Sequence, residues 1–272
     1  MKLLKWILRA LQGVIIGIGA ILPGISGGVL SVTFGLYRPM MDLLSSPIKS
    51  LKKYWSLFLP VIIGWVFGFV VFARLIGVFF EKSETLAIWL FIGLIAGTVP
   101  SLFKEGGKEG RTKFSWISLI ICFIIMTSIL VLTKISFSAD ITPNLFWFGF
   151  CGILWGLSLV VPGMTSSSIL MSLGIYEPMT VGIGALDMYV LIPLLIGIAL
   201  IALTIPRFIN LMFKNHYSTA FHGIIGIVLA STVVIIPLKY TSFIELALGI
   251  LCAVICFFIT FIMDKKLGSK GE

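Results

Sequence analysis

The sequence predicts an all-α polytopic membrane protein made of two inverted repeats, each a re-entrant helical hairpin followed by three transmembrane helices. Three observations carry that expectation. Of 272 residues, 59% are hydrophobic and 11% charged, and apolar runs near the roughly 20 residues that cross a bilayer recur along nearly the whole chain. One unusual segment occurs twice, at an offset of 139 residues. The Lys and Arg residues collect in short loops, as the positive-inside rule requires of cytoplasmic loops.

Taken in order, residues 1–138 form the first repeat and 139–272 the second. Lys2, Lys5 and Arg9 lie near one helical face, with Leu4, Trp6, Leu8 and Leu11 largely elsewhere, which predicts a short interfacial helix. A cleaved signal peptide is disfavoured, because no small-x-small site precedes Pro23 and the lost stretch belongs to the repeat. The first apolar run, 12–36, carries the first copy of the doubled segment, and 57–80, 86–103 and 115–133 are spans. The second copy lies in 146–175, followed by spans 189–212, 220–238 and 243–263. Identities at the 139 offset include Gly13/Gly152, Gly17/Gly156, Pro23/Pro162, Gly24/Gly163, Gly35/Gly174, Tyr37/Tyr176, Pro39/Pro178 and Met40/Met179. At an offset of 133, Pro60/Pro193, Gly64/Gly197, Arg74/Arg207, Ala87/Ala220 and Gly93/Gly226 continue the pairing.

Both copies break at mid-length, at Pro23-Gly24 and Pro162-Gly163. Each arm of about 10 to 15 residues covers roughly 15 to 22 Å as helix, enough to reach mid-membrane but not to cross. If 12–36 crossed once, Arg38, Lys49, Lys52 and Lys53 would face outside. If it turns back, they join the N-terminus in the cytoplasm. Lys104, Lys108, Arg111, Lys113, Lys265, Lys266 and Lys270 then also fall inside, and the loop 176–188, without Lys or Arg, falls outside. Only the nearly neutral pair around Lys214 and Lys239 departs from the rule. Three spans per half invert the second half. Both termini are expected in the cytoplasm and the protein in the cell membrane, with membrane lipids as its neighbours.

The net charge of +9 does not indicate nucleic-acid binding, since the basic residues flank apolar spans and no extramembrane domain exists to hold a nucleic acid. Cys122, Cys151, Cys252 and Cys256 lie inside apolar runs and read as packing residues, so no metal or other cofactor is expected.

Non-helical backbone at mid-membrane depth is tolerable only against protein or a polar cavity, which places both hairpin tips at the centre of the protein. A returning arm presents unpaired N–H groups at a fresh helix N-terminus. Pro23, Gly24, Ser26, Gly27 and Gly28, with Pro162, Gly163, Thr165, Ser166, Ser167 and Ser168, thus supply glycine backbone, hydroxyls and N–H donors suited to phosphate. The alternative is that small residues merely let helices pack closely. Arg74 and Arg207 stand at equivalent positions inside apolar spans, where a central Arg costs about 2.5–3.5 kcal/mol on insertion scales. They either bind the anion, bidentately, or snorkel to the headgroups. His222, opposite Trp89 in the repeat, is a packing residue or a proton relay. Arg38 and Glu177, at the two hairpin exits, are loop anchors or gating residues.

The paired tips, each followed by G-(L/I)-Y-x-P-M, resemble the PopT-type undecaprenyl phosphate translocases over essentially the whole chain. The resemblance implies a lipid-phosphate transporter that returns undecaprenyl phosphate from the outer to the inner leaflet for reuse in cell-wall polymer synthesis. It implies no enzymatic activity, and a proton or other ion as the candidate for coupling. The second copy has Thr165-Ser166-Ser167-Ser168 where the first has Ser26-Gly27-Gly28-Val29, so the tips need not bind alike. Two alternatives stand beside it. One is a secondary transporter of a small soluble anion, since an anion site does not specify a lipid tail. The other is an intramembrane lipid phosphatase, against which the only histidines, His216 and His222, stand in no recognisable catalytic arrangement.

Overall fold

Residues 2–22, 30, 34–36, 39, 47–136, 142–161, 164, 166–238, 240 and 242–268 are described by a computed structural model of the chain. Most of these residues are helical, with no strand among them. Among the described residues five helices are long and apolar enough to cross a membrane, or six if a pair bent by 112° is counted as one. The chain is a multi-pass membrane protein.

Helix α1 (Lys2–Ile21) is continuous. The stretch read as a separate interfacial helix and the ingoing arm of the first hairpin are therefore one element. Ala10, Leu11 and Gln12 favour the helix, and Gly13 is held by packing. Helix α2 (Pro47–Lys82) contains Pro60 and reaches Ser83, whose side chain caps α3 (Glu84–Gly106) by accepting from the Leu86 N–H at 3.3 Å. Helix α4 (Lys113–Ser136) closes the first half. In the second, α5 (Leu145–Val160) starts at Asn144, which accepts from the Trp147 N–H at 3.1 Å. After a break come α6 (Ser167–Ser172) and α7 (Tyr176–Gly184).

The run 189–212 is not one helix. Helix α8 (Met188–Thr204) stops and α9 (Pro206–Val234) begins, because Pro206 has no N–H to continue the ladder and suits a first helical turn. Helix α9 is itself two helices meeting at His216, whose φ of −143° and ψ of 46° are non-helical. At the 133 offset His216 stands where Ser83 joins α2 to α3. Helix α10 (Phe243–Gly268) ends the described chain.

Four helix pairs hold the molecule: α1 with α2, α5 with α8, α3 with α10 and α4 with α9. Glycines sit at each contact. Gly13 and Gly17 lie on the carbonyls of Val61 and Trp65, and Gly64 and Gly68 on those of Ala10 and Val14. A Cβ at any of these four would fall 1.9 to 2.4 Å from the carbonyl oxygen, so the backbones themselves touch, as small-residue interfaces permit. Gly152 meets Leu194, Gly156 meets Ile198 and Ile201, and Gly197 meets Gly149. Gly93 meets Ala253, Gly97 meets Phe257, Gly223 meets Ser118 and Gly226 meets Leu119. Residue numbers rise together along both members of every pair, so all four pairs are parallel.

Sequential helices run the other way. Phe80 near the end of α2 touches Phe91 near the start of α3, at 5.7 Å between ring centroids, and Phe103 stacks on Trp116 at 6.1 Å across the α3–α4 turn. Helices α3 and α9 are in mutual contact, and Ile95 and Val228, equivalent at the 133 offset, share one buried cluster with Val161, Ile209 and Ile224. Around this pair, α4 and α10 present most of their surface outward.

Candidate functional site

Helix α5 ends at Val160, and Val161 buries its side chain in the cluster on α3 and α9. The second break is thereby delivered to the contact between those helices. Pro162, Gly163 and Thr165 lie outside the described residues, as do Pro23, Gly24, Ser26, Gly27, Gly28 and Arg38. Ser166, Ser167 and Ser168 are described and buried. Ser168 Oγ is 2.7 Å from Ser231 Oγ on α9, and Ser231 in turn donates to the Ile227 or Val228 carbonyl. Ser166 makes no side-chain cap. The returning arm was expected to run 10 to 15 residues, but α6 has six. A helix that short contributes individual N–H groups rather than an accumulated macrodipole.

Ser231 was not anticipated, and neither was Thr98, which occupies the equivalent position on α3 at the 133 offset. Both are buried, and Thr98 Oγ1 donates to the Ile95 carbonyl at 2.7 Å. The offset that pairs Arg74 with Arg207 pairs these hydroxyls too, and was the signal available to find them.

Gly17 lies against Trp65 and Phe69, so α1 ends one turn further on, near the middle of the expected span 57–80. Arg74 is about one turn beyond that level. Its backbone abuts Gly184 of α7 and its side chain is exposed. Arg207 is in the first turn of α9, and its side chain lies outside what the structure describes. The two arginines and the serines are thus not seen in one contact set.

Glu177 stands in the first turn of α7, within the electrostatic reach of Glu84 and Glu81. His222 is fully buried between the rings of Phe103 and Trp116. Its Nδ1 lies 2.7 Å from the Ser218 carbonyl, and Nε2 has no partner among the described residues. The indole N–H of Trp89, its repeat counterpart, is likewise buried without one. Near the junction at His216 a cavity of about 660 Å³ is lined by Glu109, Thr112, Asn215, His216, Ser218 and others. It is separated from Ser231 by about 22 Å of helix, so it does not belong to the tip.

The two copies also match in backbone at one equivalent pair of glycines. Gly35 and Gly174 have φ of 69° and 72°, the left-handed region that glycine enters freely. Just before the first of these, the Phe34 carbonyl accepts from Arg9 Nη1 at 3.1 Å. Phe34 therefore lies within reach of a side chain set about three turns before the end of α1.

A family described as undecaprenyl phosphate translocase-like matches residues 16–249. A polyprenyl-phosphate transporter of Vibrio cholerae serotype O1 is 22% identical over 255 residues, 88% of this chain and 80% of that one. A polyprenyl-phosphate transporter of Staphylococcus aureus is 22% identical over 290 residues, 98% of each chain. No solved structure matches.

Proposed function

The chain belongs to the undecaprenyl phosphate translocase-like family, and on that footing we propose that it carries a polyprenyl monophosphate across the cell membrane, returning undecaprenyl phosphate from the outer to the inner leaflet for reuse. It is a carrier rather than an enzyme. The phosphate passes the two hairpin tips while the isoprenoid tail stays in lipid. Moving an unpaired phosphate through hydrocarbon costs tens of kcal/mol by Born solvation, so the path has to replace its hydration with donors.

The observation that carries this reading is the parallel pairing of α1 with α2 and of α5 with α8. A helix that crossed the membrane once would run antiparallel to the next span. One that enters, turns and leaves by its own side is followed by a parallel one. The Arg9–Phe34 contact supports the same return. His216, in the place of Ser83, supports an α8 running opposite to α2, and so an inverted second half spanning 139–272 after a first spanning 1–138. The second half then brings its broken end to mid-membrane beside a buried hydroxyl, Ser231, and the 133 offset pairs that hydroxyl with the buried Thr98 of the first half.

Ser166 and Ser167, whose hydroxyls bond to no described residue, are the phosphate donors we assign in the second tip, with Thr165 and the Pro162-Gly163 turn beside them. Ser26, Gly27 and Gly28 after Pro23-Gly24 are their counterparts. Arg74 and Arg207 supply the compensating charge at the rims, where Arg38 and Glu177 gate. His222 is the candidate for a coupling proton. The test is reconstitution in vesicles with undecaprenyl phosphate in one leaflet. Exchange that depends on the protein supports the reading, and exchange no faster than in protein-free vesicles defeats it.

A further inference from the structure

Helix α1 stops with carbonyls that its own ladder cannot satisfy. The Gly19 carbonyl would be met by the N–H of residue 23, and Pro23 has none. Among the described residues the last bond of the ladder in this turn is Leu22 N–H to the Ile18 carbonyl, at 3.0 Å. Helix ends buried in this way need a partner from elsewhere. At Ile21, which is 1% exposed, that partner is Tyr176. Its hydroxyl donates to the Ile21 carbonyl at 2.9 Å, across 155 residues of sequence.

Tyr176 is held for this task. It is fully buried, with its ring 5.8 Å from Phe80 on α2 and 5.3 Å from Phe91 on α3, centroid to centroid. It starts α7 two residues after Gly174, whose backbone is left-handed. The exit of the second hairpin thus caps the helix that leads into the first.

We propose that Tyr176 is a positioning residue for transport. By capping α1 at Ile21 it sets where Pro23-Gly24 begins, and so places the first tip relative to the second half. Its hydroxyl does not touch the lipid; it acts through the end of α1. The proposal rests on the reading of the chain as a polyprenyl-phosphate carrier, but not on which residues contact phosphate.

Tyr176→Phe removes the hydroxyl and keeps the ring among Phe80 and Phe91. Phe91→Leu is the comparison, since it perturbs the same aromatic cluster and leaves the hydrogen bond. Both are measured in vesicles for exchange of a short-chain polyprenyl phosphate per folded molecule. In a background without native cysteines, both are also measured for the rate at which Leu22→Cys reacts with a polar thiol reagent. Tyr176→Phe is expected to insert normally, slow exchange by about 3- to 10-fold, the size of one net hydrogen bond, and raise the reactivity at position 22. Phe91→Leu should lower thermal stability and move neither readout. Wild-type exchange with Tyr176→Phe equal to it in both readouts overturns the proposal. So does a Tyr176→Phe protein that, like Phe91→Leu, loses stability alone. If Tyr176→Phe fails to insert, the reactivity at position 22 in membranes carrying Tyr176→4-aminophenylalanine, which keeps the ring and a donor at the same reach, decides: reactivity like the parent supports the cap, and raised reactivity overturns it. Absence of exchange in the wild type would instead remove the carrier reading itself, and the reactivity at position 22 would still judge the cap.

Discussion

At the level of single residues, buried hydroxyls divide into those engaged with a described residue and those that are not. Ser168 is bound to Ser231, so Ser168→Ala should lower stability by the ~0.5–1.5 kcal/mol of a net hydrogen bond and leave lipid-phosphate affinity nearly unchanged. Ser167→Ala should leave stability alone and weaken binding of a short-chain polyprenyl phosphate by about 3-fold or more, up to about 100-fold if the partner is charged. Ser118→Ala, on α4 away from the tip, should change neither. Equal effects at 167 and 118 would make the tip a packing device. Arg74→Ala should cut exchange strongly in an inserted, abundant protein, with Arg74→Lys restoring only part because the ammonium lacks the planar fork. Ser166 to Ser168 were legible because they stand in a doubled, Pro-Gly-broken segment. Thr98 and Ser231 were not, since one hydroxyl in an apolar helix is commonly satisfied by its own i−3 or i−4 carbonyl, as both of these also are.

At the level of elements, the glycine contacts are the structural commitment. Gly197 has no room for a side chain, with the Gly149 carbonyl 2.3 Å from the position of a Cβ. Gly197→Val should destabilise the α5–α8 pair by more than the about 1–3 kcal/mol typical of overpacking, because the obstruction is backbone and cannot rotate away. Gly110→Ala, in the α3–α4 turn where nothing lies near a Cβ, should leave helix pairing intact and cost only the strain of its left-handed φ of 87°. Thermal unfolding of both variants in detergent, ranked against the parent, checks the difference. Most apolar runs became helices close to their expected limits. The exceptions have local causes: Pro206 divides the run 189–212, and the six-residue α6 is ended by the turn at Gly174. The fusion of the N-terminal stretch into α1 was hidden because an amphipathic face looks the same on a free interfacial helix and on one packed along α2.

At the level of the whole molecule, each half lends its last helix to the other. Helix α4 lies on α9 and α10 on α3, so the halves interlock. Nothing in hydropathy reveals that exchange, because helices α4 and α10 are apolar all round and periodicity assigns them no preferred partner. The doubled segment and the loop charges speak to the threading instead, since both are properties of the chain order rather than of packing. What the account asserts above all is that the first broken segment returns to the side it came from. Its most direct test is the sidedness of two single cysteines, Lys49→Cys and Asp187→Cys, in the chain without native cysteines. Both positions are exposed, and an impermeant thiol reagent applied to intact cells reads them. The account predicts labelling at 187 and protection at 49 until the membrane is opened. Labelling of 49 from outside, with 187 protected or not, would contradict it.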